Sequence, residues 1–152
     1  MRKLKDISYI LDYVFGRSIH DSIDLGQIKF LVSKKTGKVK QLYCDDGRLI
    51  GTLRSDGSLA PAPSFYHLAS KNPVFEQNAV VVKEDAVAHI RRGSSVFVQN
   101  VKKIGKNVSV GSDVFILAPN KDLIGIGKST VSAKQIEHFK SGLCVKNRVI
   151  KG

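Results

Sequence analysis

Short runs of β-branched and aromatic residues, cut by glycine turns, fill most of this chain and restrict it to small sheets. Ile28–Val32, Val39–Tyr43 and Leu49–Leu53 read as three strands. Gly37 and Gly47 fall in the turns between them, where a positive φ is wanted, and Ser55-Asp56-Gly57 closes the meander. Ahead of it, Ile7, Ile10, Leu11, Val14 and Phe15 recur at helical spacing. Asp6 is the expected N-cap and Gly16 the stop, which predicts a helix of about ten residues.

Ala60-Pro61-Ala62-Pro63 then breaks the rhythm, because proline has no N–H to give a ladder. Phe65–Leu68 fits a helical turn that Lys71-Asn72-Pro73 ends. The domain boundary is placed within residues 60–77, with an N-terminal α+β domain over 1–72 and a second domain over 73–152. Each bury little surface alone at this size, so the two should pack together.

The second half has a different rhythm. Ala79–Val82 is a solid β-branched run. Glu84–Arg92 fits a short helix whose acidic start and basic end suit its dipole, with Gly93 as its stop. Strands follow at Ser95–Val98, Val108–Val110, Val114–Leu117 and Leu123–Lys128. Ser132 caps an expected helix through Gln135, Ile136 and Phe139, ended by Gly142, and Leu143–Ile150 is the last strand. Many short strands with two short helices predict a mixed β pseudo-barrel, and an α+β class for the whole chain.

Charge narrows the partner. The chain carries +12, spread over both halves: 12 basic against 7 acidic residues in 1–75, and 13 against 6 in 76–152. A uniformly basic small protein suits a polyanion, since phosphates release counterions when Lys and Arg approach. No apolar run approaches a membrane span and the N-terminus does not read as a secretory signal, so no membrane partner is expected and the cytoplasm is the default.

Catalytic constellations do not assemble. Cys44 and Cys144 are too few for a structural zinc site, and His20, His67, His89 and His138 are scattered without metal-ligand spacing. A Cys–His nucleophile pair would have to arise from spatial proximity, and nothing around either cysteine points to one. Gly125-Ile126-Gly127-Lys128-Ser129 lacks the upstream glycine of a phosphate loop and reads as a close-packed strand. No catalytic residue, metal or cofactor is expected.

Five pieces in order carry a family resemblance: Ala79 to Val87, Arg92 to Phe97, Gly111 to Val114, Leu123 to Ser129 and Lys140 to Lys146. Together they resemble the PUA domain, a small pseudo-barrel found on many RNA-modifying enzymes. In the first half, Phe15-Gly16-Arg17, Ser33 to Val39 and Leu53 to Gly57 resemble the domain that precedes the PUA domain in archaeal tRNA-guanine transglycosylase. The whole chain is thus similar to that enzyme's C-terminal, tRNA-holding portion. The family's catalytic barrel, with its aspartates and zinc site, has no counterpart in these residues. The resemblance therefore implies an RNA-binding accessory module for tRNA modification, with tRNA as the first partner and a separate catalytic subunit as a second. An RNA-modifying enzyme with an unrecognised site, or a ribosome-assembly or protein-interaction adaptor, are the alternatives.

The resemblance also implies where RNA binds: the first helix of the pseudo-barrel, the glycine loop after it, the adjoining strand and the last strand. These place Arg91, Arg92, Gly93, Ser94, Val96 and Phe97 in the surface, with Lys102 and Lys103 extending it. A guanidinium straddles a phosphate with two N–H groups, and glycine lets backbone approach a sugar-phosphate strand. Lys146, Arg148 and Lys151 alternate in the final strand and its tail, so they are expected on one face. Phe97 and Phe115 lie in apolar runs and read as core. Lys34, Lys35, Lys38 and Lys40 cluster on a hairpin tip, where a charge run is ordinarily solvated.

Overall fold

Ile7, Leu11 and Phe15 recur every fourth residue, so one stripe of α1 (Arg2–Phe15) is buried while Tyr9 and Tyr13 face outward. The computed structural model describes residues 2–16 and 27–150. The helix begins at Arg2, ahead of the expected Asp6 cap. It ends where expected, with the Gly16 N–H donating to the Asp12 carbonyl (3.1 Å) and Gly16 at φ +121°.

Four strands follow: β1 (Ile28–Val32), β2 (Val39–Cys44), β3 (Leu49–Leu53) and β4 (Leu59–Pro61). They form an antiparallel sheet in sequence order. The prolines hid β4, yet Pro61 is tolerated because it ends an edge strand and its missing N–H faces no neighbour. Pro63 then occupies the first turn of α2 (Pro63–Ala69), where its fixed φ fits and no N–H is needed. Phe15, Phe65 and Phe75 meet with ring centroids 4.8 to 6.0 Å apart, all three fully buried. They close a core with Leu11, Leu42, Ile50 and Leu59. Phe75 therefore belongs with this unit, and backbone contacts divide the chain into Met1–Phe75 and Glu76–Gly152.

The second unit is a six-stranded mixed sheet. Its strands are β5 (Ala79–Val82), β6 (Val96–Phe97), β7 (Val101–Ile104), β8 (Asp113–Leu117), β9 (Leu123–Ser129) and β10 (Leu143–Ile150), ordered β6-β10-β9-β8-β5-β7. Only β5 and β8 run parallel. The two edge strands β6 and β7 are joined by the three-residue turn Val98–Asn100, which forces the sheet to curl into a pseudo-barrel. Val80, Val114, Ile116, Ile124 and Val145 fill its interior, and Ile90 of α3 (Val87–Arg91) plugs one side.

Several expected elements differ. The Glu84–Arg92 helix is a 3-10 turn, Glu84–Ala86, continuing into α3. The helix expected from Ser132 is a 3-10 turn, Ile136–His138. Ile136 alone packs, partly buried, against the core, and one such contact does too little to offset nucleation of a longer helix. Val108–Val110 forms no strand: Val108 is buried from a loop while Val110 is exposed. Strand β7 was masked by its two lysines. Among the described residues no helix is long and apolar enough to cross a membrane.

All four tyrosines, Tyr9, Tyr13, Tyr43 and Tyr66, lie in the first unit, so tyrosine fluorescence reports its unfolding. Phe65→Ala leaves a cavity between two rings and is expected to cost about 3–5 kcal/mol in a urea titration read this way. A loss under about 1 kcal/mol contradicts the ring cluster as the centre of that core.

Candidate nucleic-acid interface

α3 hands the chain to β6 through a tight loop. The Arg92, Gly93 and Ser94 N–H groups donate to the carbonyls of His89, Ile90 and His89, at 3.2, 2.9 and 3.1 Å. Gly93 sits at φ +107°, a conformation that a side chain would strain, so the helix stop and the close backbone approach share one residue. Arg91, Arg92 and Ser94 are exposed around it. The Arg91 guanidinium lies 3.8 Å from the Asp122 carboxylate, an exposed and therefore weak pairing. Arg92 Nε donates to the Ala88 carbonyl at 3.2 Å, which fixes the guanidinium beside the helix end.

One side chain on β10 holds this loop. Asn147 Nδ2 donates to the carbonyls of Ile90 and Ser94, both at 3.1 Å, and the Asn147 N–H donates to Ser95 Oγ at 3.2 Å. Asn147 fits because β9 opposite it carries Gly125 and Gly127. A Cβ on Gly125 would lie 2.8 Å from Asn147 Oδ1, and one on Gly127 would lie 2.1 Å from the Lys146 carbonyl. The close-packed strand read from the Gly-Ile-Gly alternation is thus the seat of Asn147. The residue itself carries no charge, and sequence reasoning passed over it; the alternating glycines were the available signal.

The expected RNA residues separate on this frame. Val96 is wholly buried in the core, so it offers RNA at most its backbone. Phe97, expected in the core, is 43% exposed: β6 is only two residues long, and Val96 takes the inward position. Phe97 lies opposite Leu143 of β10, and the next N–H, of Val98, donates to the Gly142 carbonyl at 2.8 Å. Lys146 is exposed and pairs in register with Lys128 of β9, so two cations share one face.

Arg148 departs from the expected alternation. The ladder shifts between Asn147 and Val149, and Arg148 is the extra residue there. Its Nη2 donates to Asp113 Oδ1 at 2.8 Å, where the carboxylate is 4% exposed and the guanidinium 38%. Compensating a buried anion is its structural role. Lys102 and Lys103 are adjacent on β7, the opposite edge of the sheet order, and as neighbours they point to opposite faces. Strand pairing does not bring them beside the Arg91 loop. Lys151 and His20 lie outside the described residues.

Burial disfavours the thiolate form of both cysteines. Cys144 is fully buried, and desolvation pushes its pKa up to about 11. Desolvation also raises the Cys44 thiol, with Arg48 opposing and Asp46 and Asp45 adding to the rise. Among the described residues no group of three or more His, Cys, Asp or Glu side chains is placed to hold a metal ion.

Residues 78–151 match the PUA domain, and residues 5–64 match the patch-forming domain C2 of tRNA-guanine transglycosylase. The second unit is a PUA domain. The tRNA-guanine(15) transglycosylase of Methanobrevibacter smithii is 32% identical over 149 residues, and that of Thermoplasma volcanium 29% over 147. They cover 95% and 94% of this chain, while the chain spans 22% of the length of each, their C-terminal portion. Two solved structures share the fold over nearly the full chain. A hypothetical protein of Pyrococcus horikoshii superposes with a TM-score of 0.74 at 21% identity, over 98% of this chain and 90% of its own. A PUA domain protein of Thermoplasma acidophilum superposes with a TM-score of 0.62 at 18% identity, over 99% and 90%. In the PUA domain described above, the candidate surface comprises Arg91, Arg92, Gly93, Ser94, Phe97 and Lys146.

Arg148→Ala removes the ion-pair partner of the buried Asp113 carboxylate, with an expected cost of about 2 kcal/mol in denaturant unfolding. Adding Asp113→Ala to it is expected to cost less than the sum of the single changes; strict additivity contradicts the pairing. A maleimide at pH 8 is expected to label Cys144 only after unfolding, because thiolate is scarce well below a pKa of about 11. Labelling of native Cys144 as fast as a free thiol contradicts the burial.

Proposed function

We propose that this chain binds structured RNA, with tRNA as its first partner, and acts as an accessory module for tRNA modification whose chemistry a separate catalytic subunit supplies. The observation that carries this reading is the loop after α3. Two exposed arginines lead into a backbone that turns at a positive-φ glycine, and Asn147 holds that loop from β10. Guanidinium groups give paired donors to a phosphate, and the hydroxyl of the exposed Ser94 suits sugar-phosphate contacts. RNA helices are read chiefly through shape, phosphates and 2′-hydroxyls, which such a surface matches. The match to the PUA domain, and the similarity to tRNA-guanine(15) transglycosylases of archaea, support tRNA over other RNAs.

Gel-shift titrations of folded tRNA at several salt concentrations test the reading. Affinity is expected to fall steeply and linearly on logarithmic axes as salt rises. Arg91→Ala with Arg92→Ala is expected to weaken binding roughly tenfold or more and to reduce the salt slope by about 2. Tight binding indifferent to salt, or to loss of both arginines, overturns it.

A further inference from the structure

The first unit leaves one side of its helix uncovered. Tyr9 and Tyr13 lie a turn apart on α1, opposite the buried stripe of Ile7, Leu11 and Phe15. Tyr9 is 61% exposed and Tyr13 92%, so both rings stand mostly in solvent. The other two tyrosines of the unit are engaged. Tyr43 Oη donates to Gln41 Oε1 at 2.7 Å, and the Tyr66 and Phe75 ring centroids are 6.1 Å apart. Gly16 follows Tyr13 by three residues and continues the outward stripe. A Cβ on Gly16 would lie 3.1 Å from Val74 Cγ1, so Val74, 43% exposed, sits against the helix end and lengthens the patch.

A helix face that meets only water is ordinarily polar. Two tyrosines and a valine in one stripe have instead the make-up of an interface centre, where tyrosine is enriched and carries much of the binding energy. A second copy of this chain is a poor occupant, because each copy carries +12 and the two repel. The archaeal transglycosylases favour another. There the portion matching this chain is C-terminal, and the match to domain C2 begins at residue 5, inside α1. Most of each enzyme therefore enters at the segment equivalent to α1. A separate protein that supplies that portion is best placed to meet this chain at the same helix.

We propose that Tyr9, Tyr13 and Val74 form the docking face through which this chain binds its separate catalytic subunit, seated in an apolar recess of that protein. This rests on the accessory-module reading above and gives the subunit its place on the chain.

The test places the photocrosslinker benzoylphenylalanine at Tyr13 of the full chain. A control carries it at Phe139, an exposed aromatic position of the second unit. Each is irradiated in extract of the native cells, and mass spectrometry identifies the protein joined to it. The expected adduct, at Tyr13 alone, is a protein matching the part of tRNA-guanine transglycosylase that precedes the C-terminal portion. That protein is then purified and titrated with variants of the full chain. Tyr13→Ala is expected to weaken binding roughly tenfold, and Tyr9→Ala with Tyr13→Ala further. Alanine favours helix, so α1 is retained, which thermal melts check. Tyr9→Phe with Tyr13→Phe keeps the rings and is expected to bind within about threefold of the unaltered chain. An adduct only with a second copy, with RNA or with an unrelated protein overturns the proposal. So does no adduct at Tyr13, equal adducts at both positions, or an alanine variant that docks normally. Gel shifts separate the two readings, because loss of both tyrosines is expected to leave tRNA affinity unchanged. If docking fails while the unaltered chain binds tRNA, the docking face falls and RNA binding stands. If the chain docks as expected but binds no tRNA, the docking face stands and the RNA reading falls.

Discussion

The candidate surface depends on how Asn147 joins β10 to the end of α3. A loop containing glycine at positive φ and two charged side chains has little reason to stay in one arrangement. Two donations from the Asn147 amide, to the Ile90 and Ser94 carbonyls, take up backbone acceptors at the helix end that water would otherwise satisfy. The Asn147 N–H, donating to Ser95 Oγ, adds a third tie. None of this fits without the bare backbone of Gly125 and Gly127 across the ladder. The order of the loop is therefore written on two other strands as well as on α3, which ends at Arg91 and whose Ala88 carbonyl holds Arg92.

Electrostatics divide into structural and available charge. Arg148 offsets the buried Asp113 carboxylate, and Arg48 is held by Asp46. Hydrogen bonds from Arg48, its backbone N–H first, keep the Asp46 carboxyl below its ordinary pKa. These contacts subtract from the positive field without weakening the three places where cations face outward together. On the PUA domain those are the Arg91–Ser94 loop and the Lys146–Lys128 pair; on the first unit it is the β1–β2 hairpin. Exposed cations in such groups contribute little to folding and much to the capture of a polyanion.

The meander of the first unit was readable because each turn carries a glycine and each strand a β-branched run, so local chemistry and fold agree. β4 and β7 were not readable: one ends in proline, the other carries two lysines, and both exist because they pair at sheet edges. The helix expected near Ile136 has only that one partly buried side chain to hold it against the core. In the candidate site, charge and the family resemblance point to Arg91, Arg92, Gly93 and Ser94, which the structure places together at the end of α3. Inside and outside could not be assigned to Val96 and Phe97, since a two-residue strand has no pattern to count. Asn147 shows in the sequence only through the Gly125 and Gly127 alternation that seats it, because its importance comes from partners 53 and 57 residues away.

The central claim is that RNA meets this chain at the loop Asn147 holds. Backbone amide chemical shifts, followed by two-dimensional NMR as folded tRNA is added, test it most directly. The account predicts that the largest shifts fall on Arg91 to Phe97 and along β10 near Lys146 and Asn147, and weaken as salt rises. Shifts absent from that loop and concentrated elsewhere, for instance around Val108 to Ser112, would contradict it.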